Sequence, residues 1–231
     1  MKKLLIVSAT YFEVKPLLER FGVIGKSDKV DSLGLVKTEN QDVDLCISGV
    51  GQLQSAYHLA EALAQQQYRI ALNFGICGSF KEEIPQKSVV NIISEELSDL
   101  GAEDNGSYLD LFEMGFLKKD KPPFVNAALL AKNPKLQRLE QLPQVKSLTV
   151  NRVLAHQDSI KFVREKYNPD VVNMEGAAFF YACKNHGLEC AAVRSVSDYV
   201  GPRDKAKWDI PGAVEVLNSV ALDLVEEILK S

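Results

Sequence analysis

Glu13, Glu175 and Asp198 each follow a short apolar run: Leu4-Leu5-Ile6-Val7, Val171-Val172-Asn173-Met174 and Ala191-Ala192-Val193-Arg194-Ser195-Val196. Runs of this kind read as buried strands, and side chains at strand ends on one edge of a sheet converge on one pocket from distant sequence positions. Three carboxyl groups meeting there form a site for proton transfer or for stabilising positive charge. The plainer alternative makes each an acid in the first turn of a helix, favourable to the helix dipole and nothing more. Glu13 fits that alternative best.

The remaining residue types say less. Gly49-Val50-Gly51 and Gly75-Ile76-Cys77-Gly78 let the backbone approach a ligand, and either could equally be a tight turn between strand and helix. Neither has the GxGxxG or GxxxxGK[ST] spacing of nucleotide loops. His58, His156 and His186 lack the spacing of a metal site or a triad, and no serine sits in a GxSxG elbow. Cys46, Cys77, Cys183 and Cys190 show no CxxC pairing, so free thiols in a reducing compartment are expected, with no metal.

Strands and helices must alternate to position these residues. The sequence predicts strands over 4–7, 44–48, 70–74, 88–94, 171–174 and 191–196. Gly49-Val50-Gly51 ends the second strand, and Gly75-Ile76-Cys77-Gly78 ends the third. Helices are expected over 13–20 and 53–66, and from Ala177 to a cap at Gly187. A last helix carries Val214, Leu217, Ala221, Leu224 and Ile228, spaced three and four apart so that one apolar stripe faces the sheet. The region 95–151 is less regular. This alternation implies a single α/β domain spanning 1–231, with a mixed, largely parallel central sheet flanked by helices.

Composition excludes several classes of function. The 231 residues are 46% hydrophobic and 25% charged, with 27 basic against 31 acidic side chains and a formal net charge of -4. Without a basic block there is no footprint for a phosphate backbone, so no nucleic-acid partner is expected. No run approaches the roughly 18–20 apolar residues of a membrane span, and the apolar stretch after Lys2-Lys3 is too short for a signal peptide. A cytoplasmic protein is expected.

Five segments, in order, carry a more specific signal: Ser8-Ala9-Thr10-Tyr11-Phe12-Glu13, Ser48-Gly49-Val50-Gly51, Asn73-Phe74-Gly75-Ile76-Cys77-Gly78, Asn173-Met174-Glu175-Gly176-Ala177-Ala178 and Val193-Arg194-Ser195-Val196-Ser197-Asp198. On them the chain resembles the nucleoside phosphorylase and nucleosidase superfamily over nearly its whole length. Asp99-Leu100-Gly101-Ala102-Glu103-Asp104 and the stretch from Gly201-Pro202-Arg203 to Ile210 make it most similar to the futalosine hydrolases of menaquinone synthesis.

The resemblance implies a cofactor-free hydrolysis of the N-glycosidic bond of futalosine, giving hypoxanthine and dehypoxanthine futalosine, with water as nucleophile. Related nucleosidases acting on methylthioadenosine, S-adenosylhomocysteine or aminodeoxyfutalosine are the near alternatives, and an inactive nucleoside-binding protein is the distant one. By the same resemblance Asp198 donates a proton toward N7 of the purine, Glu175 grips the ribose hydroxyls and Glu13 activates water. Gly75, Ile76, Cys77, Gly78, Val150, Asn173, Met174, Ser197 and Arg203 are implied as substrate-binding residues. Asn73 stands where bacterial phosphorylases of the superfamily carry a phosphate-binding arginine, which favours hydrolysis. Ile76 departs from the small hydroxyl residue common at its position. Arg203, and after it Arg152, Lys205 and Lys207, are candidate cations for the substrate's carboxylate. A homodimer is implied too, with Leu109, Leu111, Phe112 and Phe116 as apolar surface for it.

Overall fold

The computed structural model describes residues 2–22, 33–105, 107–202 and 204–230. In chain order its elements begin with β1 (Lys2–Ser8), α1 (Tyr11–Phe21), β2 (Gly34–Lys37), β3 (Val43–Ile47), α2 (Gln52–Gln65) and β4 (Tyr68–Ser79). They continue with β5 (Val89–Leu97), β6 (Gly101–Asp104), β7 (Ser107–Asp110), β8 (Leu129–Leu130), α3 (Gln137–Glu140) and β9 (Gln144–Thr149). The last are α4 (Gln157–Tyr167), β10 (Val171–Asn173), α5 (Gly176–Asn185), β11 (Glu189–Tyr199), a 3₁₀ turn at Lys205–Lys207 and α6 (Ile210–Lys230).

β1 lies between β3 and β4, parallel to both, and its side chains alternate between two covered faces. Leu4 and Ile6 pack with Val14, Leu17 and Leu18 of α1 and with Leu217, Leu224 and Ile228 of α6. Leu5 and Val7 pack with Leu59 and Leu63 of α2 and with Phe179 and Phe180 of α5. Burial on both sides is why the run carries no polar residue. Each such Leu or Ile contributes roughly 1.5–3 kcal/mol relative to leaving it in water.

β4 holds two structures together. Its first half, as far as Asn73, pairs with β1, whereas Gly78 and Ser79 pair antiparallel with β10. On its other side β4 runs parallel to β11. β11 is antiparallel to β5, β5 parallel to β9 and β9 parallel to β10, so β4, β11, β5, β9 and β10 close into a ring. The result is the expected α/β architecture with a mixed sheet.

Three details differ from the sequence reading. β4 does not stop at Gly75-Ile76-Cys77-Gly78 but runs through it. Those glycines are close-approach residues within a strand: a Cβ at Gly75 would come within 3.0 Å of Glu13 Oε1, and one at Gly78 within 3.2 Å of Val200 Cγ2. β11 likewise continues past Val196, so Asp198 lies inside a strand. The irregular region 95–151 contains the β6–β7 hairpin, β8, α3 and β9. Gly187, with φ of 68°, follows the end of α5 as expected.

The helix bearing Glu13 is also fastened from α6. Pro16 within α1 has no N–H to donate and crowds the preceding turn. The buried Asn218 amide straddles that turn: its Oδ1 accepts the Leu17 N–H at 3.0 Å, and its Nδ2 donates to the Glu13 carbonyl at 2.8 Å. Asn218→Ala leaves these groups without their partner and should cost about 1–3 kcal/mol. Chemical denaturation would measure it, and an unchanged midpoint would contradict this role for Asn218.

Candidate active site

Between Asn73 and Gly78, where β4 has left β1 and not yet met β10, the Ile76 N–H is served by a side chain. It donates to Glu13 Oε1 at 3.1 Å. Glu13 Oε2 accepts from the Thr10 N–H at 3.0 Å, from Thr10 Oγ1 at 2.8 Å and from Ser8 Oγ at 3.3 Å. Glu13 thus stands in the first turn of α1, and its carboxylate also plugs a gap in the sheet.

Glu175 follows β10 after Met174 and occupies the N-cap position of α5. Its N–H donates to Asn173 Oδ1 at 2.9 Å, and its Oε1 accepts from the Gly51 N–H at 2.8 Å. The turn supplying that N–H needs its glycines, since Gly49 and Gly51 have φ of 81° and 86°. Burial raises the Glu175 pKa and the neighbouring Glu13 adds to the rise, while the Gly51 N–H and the Arg194 charge oppose it.

Asp198 sits at a register shift in β11, between Val196 and Asp198, and such a bulge re-aims the side chain it carries. Ser197 Oγ is 2.6 Å from its Oδ1 and 3.2 Å from the Cys77 carbonyl. Burial raises the Asp198 pKa, and the Ser197 hydroxyl works against that.

The three acids line one cavity of about 420 Å³ together with Ile76, Cys77, Gly78, Val150, Asn173, Met174 and Ser197. Its other walls are mainly apolar: Phe12, Val50, Val153, Leu154, Val172, Val200, Trp208 and Ile210. Gly75 is not a wall, and instead leaves room for the Glu13 carboxylate. Asn173 and Ser197 border the space, but their polar atoms are already engaged with protein groups.

Sequence reasoning passed over Arg194, although a guanidinium in the middle of an apolar strand must find acceptors. Arg194 is 2% exposed; its Nη1 donates to the Asn73 carbonyl at 3.0 Å and its Nη2 to Asn73 Oδ1. Trp208 was visible only as part of a motif, and it proves to be a wall of the cavity.

The sequence profile of the phosphorylase superfamily matches residues 3–230. The chain belongs to that superfamily. Among its members the chain is 29% identical to the futalosine hydrolase of Streptomyces coelicolor over 197 residues, 81% of this chain and 80% of the relative. It is 30% identical to that of Acidothermus cellulolyticus over 185 residues, 75% and 71% of the two chains. The same superfamily fold is found in the methylthioadenosine/S-adenosylhomocysteine nucleosidase of Colwellia psychrerythraea, solved with adenine. That structure matches at a TM-score of 0.78 and 19% identity, covering 98% of this chain and 96% of the other.

The candidate cations fare unevenly. Arg203 lies outside the described residues. Lys205 and Lys207 are exposed, with Lys207 Nζ 3.6 Å from Asp204 Oδ2. Arg152 lines a neighbouring cavity, with Asp99, Glu103 and Asp158, rather than the one holding the three acids.

Proposed function

We propose that the chain hydrolyses the N-glycosidic bond of futalosine, releasing hypoxanthine and dehypoxanthine futalosine for menaquinone synthesis. The observation that carries this reading is the meeting of Glu13, Glu175 and Asp198 in one largely apolar cavity, in a chain whose relatives include futalosine hydrolases. Breaking the bond moves electrons onto the departing purine and leaves positive charge on the ribose, as in other glycoside hydrolyses. Asp198, with its pKa raised by burial, protonates the base. Glu175 holds the ribose hydroxyls, where its charge also favours the cationic sugar, and Met174 packs beside it. Glu13 orients and deprotonates the attacking water.

Water rather than phosphate is the nucleophile. The Arg194 guanidinium, close to Gly75, is turned onto Asn73, and an ionised Glu13 would repel a phosphate dianion a few ångströms away. Base release should therefore proceed at the same rate with and without phosphate, and with chelator, since the reading assigns no metal or organic cofactor. Chromatography of the sugar product checks this: a sugar 1-phosphate, or a rate that needs phosphate, would remove Glu13 from its role.

The reading includes a cytoplasmic homodimer. Phe12 and Val50, walls of the cavity, are 55% and 54% exposed, and Leu53 and Tyr57 at the start of α2 are 86% and 64% exposed. An apolar patch at the mouth of the site is suited to cover by a second copy. Of the other apolar residues proposed for the interface, Leu109 and Leu111 are half-buried, Phe112 is half-buried and packs edge-on against Phe124 with ring centroids 5.1 Å apart, and Phe116 is exposed.

A further inference from the structure

Glu95, within β5, has no exposed surface and no part in the chemistry above. Its Oε1 accepts from Thr149 Oγ1 at 2.7 Å, and its Oε2 accepts from Asn173 Nδ2 at 3.0 Å. The same Asn173 nitrogen lies 2.8 Å from Ser147 Oγ. Both partners of Glu95 reach on to the start of α5. Asn173 Oδ1 accepts the N–H groups of Glu175 at 2.9 Å and Gly176 at 2.6 Å, and Thr149 Oγ1 accepts that of Ala177 at 2.8 Å.

Three consecutive N–H groups at a helix start have no carbonyl of their own helix to bond. Here two side chains serve all three, and Glu95 holds both of those side chains. Gly176 completes the arrangement, because a Cβ there would overlap the Glu95 carboxylate. The positive end of the α5 dipole thus lies over a buried acid.

We propose that Glu95 is a positioning residue for Glu175: through Asn173 and Thr149 it fixes the turn from β10 into α5, and with it the point from which Glu175 reaches the ribose. This rests on the reading of Glu175 as the ribose-binding carboxylate. Burial pushes the Glu95 pKa up to about 7, against the pull of Thr149, Asn173, Arg194 and Ser147. An acid held in so dry a place, with its oxygens satisfied, specifies one arrangement of its neighbours.

Glu95→Leu removes the acceptor and keeps the bulk. It should raise KM for futalosine by about tenfold or more with a smaller change in kcat, and Glu95→Gln, which retains one acceptor, should restore much of the loss. A role confined to stability would lower the folded fraction and apparent kcat together and leave KM alone. KM and kcat of Glu95→Leu within about twofold of the wild type, or no recovery with glutamine, would overturn the proposal. If Glu95→Leu does not fold, Thr149→Val cuts the same linkage at the next residue, and an unchanged KM there would overturn it equally.

A crystal structure of Thr149→Val decides the matter without turnover. The bond from the Gly51 N–H to Glu175 Oε1, 2.8 Å in the wild type, should be lost, and its survival would overturn the proposal. A wild type that releases no base from any nucleoside would defeat the proposed function instead, leaving this structural arm to judge Glu95.

Discussion

Asp198→Asn should lower kcat for base release by about 10²–10⁴-fold while the substrate still binds. The amide keeps the size of the carboxyl group and its place beside Ser197 Oγ, 2.6 Å away, but has no acidic proton to give to the purine. Burial already raises the Asp198 pKa, and a bound nucleoside that displaces water from the apolar cavity raises it further. A general acid works only while protonated. Wild-type kcat should therefore fall as pH rises through the Asp198 pKa in the complex, and Asp198→Asn should lose that limb of the profile. A variant with wild-type kcat would show that hydrogen bonding at the base suffices, and that no proton is donated there.

Glu13→Gln should cost a similar 10²–10⁴-fold in kcat, or roughly 3–5 kcal/mol of transition-state stabilisation, with a smaller effect on substrate affinity. The carboxylate receives donors on both oxygens: the Ile76 N–H on one, and the Thr10 N–H and hydroxyl with Ser8 Oγ on the other. A glutamine cannot take a proton from water, and its NH₂ must face one of these two sets of donors. Stopped assays of base release at saturating futalosine measure the loss, and a thermal melt of the same sample separates it from unfolding. A folded Glu13→Gln enzyme with kcat within about threefold of the wild type would mean that water is activated elsewhere.

The parts of this account legible in the sequence are those fixed by local pattern. The apolar run of β1 and the stripe of α6 declare burial on two faces or on one, and the structure buries them so. The convergence of Glu13, Glu175 and Asp198 on one cavity was legible from acids that follow apolar runs in an α/β chain, although Asp198 lies inside β11 and Glu13 within α1. What stayed hidden depends on contacts between distant segments. Glycine at 75 and 78 signals a break when seen alone, but within β4 it answers to the Glu13 carboxylate and to Val200. Asn173 reads as a ligand contact beside Met174 and Glu175, whereas its amide turns inward to Glu95, which lies 78 residues away in sequence. Asn73 and Arg194 look unrelated until β4 and β11 are laid side by side and the guanidinium is seen to need an acceptor.

Incubating the purified chain with futalosine, aminodeoxyfutalosine, methylthioadenosine and inosine in separate reactions, and identifying the base each releases, tests the central claim most directly. Hypoxanthine released from futalosine at the highest kcat/KM of the four, in phosphate-free buffer, is the predicted result. No base from any of them, or faster release of adenine from methylthioadenosine, would contradict it.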